Sequence, residues 1–343
     1  MKNLFKGKKI LITGASGSIG SSIVKNILKN NNFNVIRAMS NDENGLHELL
    51  EDIDINIKSF NLNDRMKRNK FRILYGDIRD YNRCLSATKE IDIVIHAAAL
   101  KHVSICEYNP EEAYKTNVNG TKNLIRASIK NKVKKFLFIS TDKAADPSND
   151  MGTTKHLGEQ IALKSNKKLK SSTKISCVRF GNVLGSRGSV IPRFVNQIKY
   201  KRIINLTSKD MTRFIMTIND AVRLIFKSIQ IMKGKEIFIF KSMFAIKILD
   251  LAYVIKKYYE KEYKKILIKE IGITSKEKTS EVLMTQSEFY SAKETRDMYI
   301  IKNNNIKNKK INLIKINKIN SHKVKLLSKK QIFLLLKKNK ILN

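Results

Sequence analysis

The residues with the clearest chemical capacity are Asp142 and Lys143, in the run Ser140-Thr141-Asp142-Lys143, and Lys155, in Met151-Gly152-Thr153-Thr154-Lys155. A carboxylate beside an ammonium, with a second lysine on the next helix, is a set that can pass protons to and from a bound substrate. The same neighbours also read as a plain ion pair at a strand end. A lysine acts as a base only where burial or nearby cations lower its pKa, and Lys101 and Lys155 are the cations the sequence offers for that purpose.

These residues need elements to place them. The apolar run Phe136-Leu137-Phe138-Ile139 reads as a buried strand that delivers Ser140 to Lys143 at its carboxyl end. Near the start, Ile10-Leu11-Ile12 reads as a strand, followed by the turn Thr13-Gly14-Ala15-Ser16-Gly17-Ser18-Ile19-Gly20 and an amphipathic helix through Leu28. Strand, glycine turn and helix in that order form a phosphate-binding turn. Glycine admits the backbone of a pyrophosphate, and the helix amino end offers N–H donors and a favourable dipole. Further strands are predicted over Asn34 to Ala38, Phe71 to Tyr75, Ile91 to Ile95 and Ile175 to Val178, with helical segments between them. The small residues of His96-Ala97-Ala98-Ala99 leave room for a flat ring, or for close helix packing.

This alternation predicts an α/β fold: a doubly wound parallel sheet (a Rossmann domain) over residues 1–185, with a smaller mixed lobe over 186–300. Residues 215–232 read as an amphipathic helix returning to the large domain. Residues 44–70 read as a polar helix and loop without chemistry. Residues 301–343, rich in Lys, Asn and Ile, read as a solvated appendage, ending in a helix whose capping box is Ser328 with Gln331.

Composition bounds the partners. The 343 residues carry 68 Lys+Arg against 30 Asp+Glu, a formal net charge of +38. Such a charge brings nucleic acid and anionic membranes into question. The lysines, however, are scattered among asparagine and isoleucine, the usage of an AT-rich genome, so no nucleic-acid partner is read from them. Cys84, Cys106 and Cys177 form no close pair, so neither a disulfide set nor a metal site is read. No apolar run approaches the roughly 18 residues of a membrane span, and the expectation is a cytoplasmic protein.

The spacing Gly14-x-x-Gly17-x-x-Gly20 resembles the extended branch of the short-chain dehydrogenase/reductase superfamily. More narrowly, the chain resembles the CapD-like polysaccharide-biosynthesis family of UDP-N-acetylglucosamine 4,6-dehydratases over roughly residues 7–300. The resemblance rests on His96 to His102, Glu107-Tyr108-Asn109-Pro110, Lys115-Thr116-Asn117, Ser140 to Ala144, Met151 to Lys155, Arg179 to Pro192 and Met211-Thr212-Arg213-Phe214, in that order. It implies an internal redox cycle through bound NADP: oxidation at C4 of the sugar, removal of the C5 proton, loss of the C6 hydroxyl as water, and reduction at C6. By position, Lys143 is then the C5 base, Asp142 the acid at C6 and Thr141 a partner of the C4 oxygen. Lys155 holds the nicotinamide ribose. The resemblance also implies cofactor contacts from Gly14, Ser16, Gly17, Ser18, Ile19, Gly20, Ser40, Asp77, Ile78, Ala97, Ala99, Lys101, Thr116 and Asn117. For the UDP-sugar it implies Lys101, Asn182, Val190, Thr207, Arg213 and Glu277, with Arg213 a planar fork on the diphosphate. A homo-oligomer is expected.

Three departures matter. Met151 stands where most of the superfamily has the tyrosine that removes a hydroxyl proton. C4 oxidation must recruit another group, such as Lys143 or Thr141 through water, and a UDP-sugar 4-epimerase, the alternative enzyme, is disfavoured. Asn41 replaces an arginine that meets the NADP 2′-phosphate, which leaves Ser40 as the contact and NAD as the alternative cofactor. Thr274 and Lys276 replace an arginine and a glycine in Gly272-Ile273-Thr274-Ser275-Lys276-Glu277-Lys278. Loss of one diphosphate contact costs ~1.5–3 kcal/mol unless Lys276 or Lys278 replaces it. Absence of membrane spans leans toward the inverting (C5-epimerising) type. The non-enzyme alternative is a basic binding protein on the same fold, recognisable by salt-sensitive nucleic-acid binding without cofactor uptake.

Overall fold

The structure is a computed structural model that describes residues 3–30, 32–60, 63, 69–168, 172–241, 243–273, 276–302 and 319–342. Six strands form its first half: β1 (Lys9–Thr13), β2 (Val35–Ser40), β3 (Phe71–Tyr75), β4 (Ile93–His96), β5 (Lys135–Ile139) and β6 (Lys174–Arg179). They pair in parallel in the order β3-β2-β1-β4-β5-β6. Chain direction across the sheet therefore reverses between β1 and β4. That switch point opens the crevice in which open α/β sheets bind ligands.

The strands are apolar because both faces are covered. Ile10, Ile12, Ile95 and Leu137 pack under α1 (Ser18–Asn30), while Leu11, Val94, Phe136 and Phe138 face the other side. There they meet α3 (Thr121–Lys130), beyond α2 (Glu43–Ile55) in the chain. Helix α4 (Asp150–Lys168) follows β5 and carries Met151 and Lys155.

The smaller lobe is built from β7 (Asn182–Val183), α5 (Val190–Lys201), β8 (Ile203–Leu206) and β9 (Thr212–Met216). Helix α6 (Ile218–Ile231) then packs on α1 and buries Leu224, Ile225 and Ile229 in the core of the large sheet. Next come β10 (Glu236–Phe240), β11 (Phe244–Lys247), α7 (Ile248–Tyr259) and β12 (Leu267–Glu270). The chain continues through α8 (Gln286–Ser291), β13 (Ala292–Glu294) and β14 (Met298–Lys302) to α9 (Lys329–Lys338). Strand β10 adds to β6 in parallel, and β14 and β13 extend that edge antiparallel, completing a nine-stranded sheet. Residues beyond 185 thus contribute to both lobes. Strands β11, β9 and β7 make one small sheet, and β12 with β8 another.

One expectation is corrected. Residues 319–342 are not an appendage. Ile319 and Ser321 are buried, and α9 inserts Ile332 and Leu336 into the apolar core of the small lobe beside α7. Its capping box, Ser328 with Gln331, is formed as expected. The lysine-rich composition concealed an amphipathic helix whose apolar face has a partner far away in sequence. Thr274 lies outside the described residues.

At the far end of β6, Arg179 is fully buried between Glu159 of α4 and Glu288 of α8, with Nη2 to Glu159 Oε2 at 2.6 Å and Nη1 to Glu288 Oε2 at 2.9 Å. A buried charge left unpaired costs about 3–5 kcal/mol. We expect Arg179→Ala to lower the unfolding free energy by about that amount, read as a lower urea midpoint at unchanged slope.

Candidate active site

The crevice at the switch point is a cavity of about 750 Å³. One wall is the turn after β1. Gly14 has φ +67°, and a Cβ there would lie 2.6 Å from Ala98 N, so the carboxyl end of β4 rests directly on the turn. A Cβ on Gly20 would meet Gly14 O at 2.1 Å, which keeps α1 close enough to aim its first N–H groups into the crevice. Ser16 and Ser40 share a hydroxyl contact of 2.9 Å at the end of β2. Below the turn, His96 bridges Thr13 and Thr121 at 2.7 and 3.0 Å. Burial, then the charge of Lys155, pushes its pKa down to about 3, so it is a neutral link in the floor.

The expected contacts sort into two groups. Gly14, Ser16, Gly17, Ser18, Ile19, Gly20, Ser40, Asp77, Ile78, Ala97, Ala99, Lys101, Thr116, Thr141, Lys143, Met151, Lys155, Asn182 and Val190 all line the cavity. Asn117 stands behind the wall, tied to Leu100 N at 2.8 Å and to Thr154 Oγ1 at 3.0 Å, and so orders the strand-end loop. Asp142 is also set back, buried beside the cavity at 1% exposure. Thr207, Arg213 and Glu277 do not line it, and Glu277 is exposed. Asp77 receives Arg79 N and Nε at 2.8 and 2.7 Å. Burial works to raise its pKa, but these bonds outweigh it and hold the carboxylate below its usual range.

The residues expected to transfer protons sit just past β5. Lys143 Nζ lies 3.1 Å from Asp142 Oδ1, 3.3 Å from Glu281 Oε1 and 3.4 Å from Asn182 Oδ1. Thr141 Oγ1 donates to Asp142 Oδ1 at 2.8 Å. Two buried oxygens here have no protein partner, Ser140 Oγ and Asp142 Oδ2. Buried polar atoms are nearly always satisfied, so a pair of orphans beside a cavity marks where a ligand's polar groups complete the site.

The expected cause of a basic Lys143 is corrected. Its neighbours are acids. Burial works to lower its pKa, but Asp142 and then Glu281 outweigh it, and the ammonium is held above its ordinary value. The cations assigned to depress it are engaged elsewhere: Lys101 donates to Arg187 O at 2.5 Å, and Lys155 to Ile139 O at 2.6 Å. Lys155 lies 4.1 Å over the Phe138 ring, and burial brings its own pKa down to about 8 against the opposing charge of Glu159. Met151 is 4% exposed and packs with Cys106 and Ala113, presenting a thioether where a hydroxyl was in question.

Nor do Lys276 and Lys278 stand in for a diphosphate arginine. Lys276 pairs with Glu107, and Lys278 with Asp146 at 2.5 Å, fastening their segment onto the large domain. The guanidinium of Arg213 is likewise spent on the protein, with Nη1 on Thr212 O at 2.8 Å and Nη2 on Lys278 O at 2.8 Å.

Residues that sequence reasoning missed are Glu281 and Arg187. Arg187 belongs to the loop after β7. Its N–H donates to Ser18 Oγ at 2.9 Å, and its guanidinium reaches Glu48 at 2.6 Å and Asp42 at 3.5 Å. It closes the loop over the glycine turn and gives the segment after β2 a role it was not assigned. Its one signal was a lone arginine in Gly185-Ser186-Arg187-Gly188.

The chain belongs to the polysaccharide biosynthesis protein family, which matches residues 10–303. It is an enzyme of the nucleotide-sugar dehydratase/epimerase group within the extended short-chain dehydrogenase/reductases. It is 45% identical over 308 residues to the "Uncharacterized membrane protein MJ1061" of Methanocaldococcus jannaschii, covering 88% of this chain and 87% of that one. It is 36% identical to the "UDP-N-acetylglucosamine 4,6-dehydratase (inverting)" of Campylobacter jejuni, covering 87% and 84%. A "UDP-glucose 4-epimerase" of Rickettsia bellii is 37% identical over the same shares. Among solved structures, Pen from Bacillus thuringiensis superposes with a TM-score of 0.89 at 40% identity, covering 99% of each chain. No helix among the described residues is long and apolar enough to cross a membrane.

Lys155 yields a pH test. Its folded pKa of about 8 lies below the ordinary 10.5, so between those values the folded state binds fewer protons than the unfolded state. Stability of the cofactor-free protein must then rise with pH across that window, relative to a chain without this lysine. Across pH 7 to 10.5, the unfolding free energy of wild type minus that of Lys155→Met is expected to rise with pH. Parallel curves would contradict the assignment.

Proposed function

We propose that the chain is a UDP-N-acetylglucosamine 4,6-dehydratase, a hydro-lyase that forms UDP-4-keto-6-deoxy-N-acetylhexosamine with inversion at C5 for surface-polysaccharide synthesis. The observation that carries this reading is the 3.1 Å contact of Asp142 with Lys143 at the cavity edge, with the second carboxylate oxygen buried and unpartnered. Water loss from C6 needs an acid and a C5 base held together, and this pair is both.

The residues fit a nicotinamide dinucleotide. Gly14, Gly17 and Gly20 with the α1 amino end would take its pyrophosphate, Asp77 its adenine, and Lys155 its nicotinamide ribose. The NADP form would place its 2′-phosphate by Ser16 and Ser40, with Arg187, here paired with Glu48 and Asp42, as the neighbouring cation. Such a cofactor, when bound, supplies storage for the hydride taken from C4 and returned to C6.

In the resting site the pair is Lys143⁺ and Asp142⁻, the reverse of what base and acid require. The two groups, 3.1 Å apart, hold one proton between them. A sugar filling the cavity expels water, and burial favours the neutral pair over the charged one. The proton then lies on Asp142, facing the C6 hydroxyl, and Lys143 is free to take the proton from C5. Thr141, already bonded to Asp142, would hold the C4 oxygen and pass the C4 hydroxyl proton through water to solvent, which balances the proton that Asp142 gives to the departing C6 hydroxyl. Asn182 and Val190 line the sugar's side of the cavity. The homo-oligomer implied by the resemblance belongs to the same proposal.

A 4-epimerase is the second reading, because a relative bears that name. The buried pair opposes it: an acid at Asp142 is needed only if water leaves, whereas Met151 obliges either reaction to remove the C4 hydroxyl proton by another group. Incubation of cofactor-loaded protein with UDP-N-acetylglucosamine is expected to give a product lighter by one water, with C5 inversion visible by proton NMR in deuterated water. UDP-N-acetylgalactosamine without water loss would favour the epimerase, and no product at all would overturn both. Lys143→Ala is expected to lose about 10²–10⁴-fold or more in turnover while still binding the dinucleotide.

A further inference from the structure

Glu281 has no assigned role, yet it is buried at 6% exposure and touches both Lys143 and Arg213. How it comes to be there is a matter of long-range bracing. Its segment follows the two lysines that dock on Glu107 and Asp146. Arg213 clasps the segment through Lys278 O, and Thr212 N bonds Thr279 O at 2.8 Å. From the other side, the C-terminal stretch seals it. Glu281 N donates to Ser321 Oγ at 2.9 Å, Ser321 N returns a bond to Glu281 O at 3.0 Å, and Val282 pairs with Asn320 as an antiparallel bridge. Ser321 is itself fully buried and shares a 2.9 Å hydroxyl contact with Thr212. The backbone at Glu281 is thus fixed by the 319–321 stretch, and its carboxylate lies between Lys143 and Arg213.

We propose that Glu281 is a positioning residue that keeps the shared proton on Lys143 until substrate fills the cavity, and that residues 319–321 are the brace that holds it there. The idea rests on the Asp142–Lys143 pair being the proton-transfer centre proposed above. The charged groups that face Lys143 come from three segments: Asp142 from its own turn, Glu281 from the braced segment, and Arg213 of β9 behind Glu281. Two acids surround one ammonium, and the arginine, 3.7 Å from Glu281, tempers the second acid. With Glu281 in place, Lys143 cannot lose its proton to water at neutral pH and remain idle as a free amine. Of the two carboxylates on it, Asp142, bonded to Thr141 beside the cavity, is the one that passes the proton on to the sugar. A carboxylate this close supports the charged form by about one to three pH units in known cases.

The test reads Lys143 without any sugar. Trace acetylation with deuterated acetic anhydride across pH, quantified by mass spectrometry of the Lys143 peptide, gives the midpoint at which its amine becomes reactive. Wild type is expected to titrate above an ordinary lysine, Glu281→Gln about one pH unit or more lower, and Glu281→Asp close to wild type. Ser321→Ala, which keeps the carboxylate but removes the hydroxyl bonds of its brace, is expected to lower the midpoint by a smaller amount. It serves as the test if Glu281→Gln does not fold, as judged by circular dichroism. In turnover, the alkaline limb of kcat/KM should move to lower pH in Glu281→Gln, whereas mere structural damage would scale the profile without moving it. A Lys143 midpoint unchanged in both folded variants overturns the proposal. If wild type shows no dehydration but the midpoint shifts as described, the proposed function fails while the control of Lys143 by Glu281 stands.

Discussion

The fully buried guanidinium of Arg179 joins the parts of the molecule that build the site. It sits on β6, next to the strand that ends in Ser140 to Lys143, and grips Glu159 and Glu288 with both of its Nη atoms. Glu159 lies one helical turn beyond Lys155 on α4, so the pairing sets the rotation of that helix and the depth of its lysine. Glu288 also closes the capping box of α8, at the end of the segment that carries Glu281. One cation thereby fixes the floor of the cavity and the approach of its far wall. A buried arginine with two carboxylates is a poor source of net stability but an exacting geometric constraint, and here the geometry is what the site requires.

The chemistry follows from charge placement. Met151 removes the usual hydroxyl, and His96 in the floor is neutral and occupied. The proposed proton transfers are therefore assigned to Asp142, Lys143 and Thr141. Lys143 is surrounded by acids, which outweigh burial and hold its ammonium above its ordinary pKa. Lys155, by contrast, is buried against a ring and a carbonyl, and its lower pKa reflects solvent exclusion. Two lysines a short distance apart in sequence are tuned in opposite directions by what surrounds them.

Much of this was legible in the sequence, for local reasons. The strand–glycine turn–helix unit and the apolar strands are short-range patterns, and the strand ends differ from expectation by only a few residues. The motifs also placed Thr141, Lys143, Lys155 and Asn182 at one cavity. What could not be read depends on distant approach. Nothing near Ser321 signals that it will clamp Glu281, and nothing in the run from Lys276 to Lys278 signals partners on the opposite lobe. The net charge of +38 likewise hid that these lysines are paired. The carboxyl-terminal helix was recognisable by its cap, but its burial needed a groove supplied by α5 and α7.

The central claim is that one site oxidises C4, removes water across C5 and C6, and returns the same hydride to C6. The most direct measurement follows a deuterium placed at C4 of UDP-N-acetylglucosamine, by mass spectrometry and NMR of the product formed in ordinary water. The account predicts the label at C6 of a keto sugar that has lost one water, without dilution by solvent. Label retained at C4, or lost to water, would contradict it.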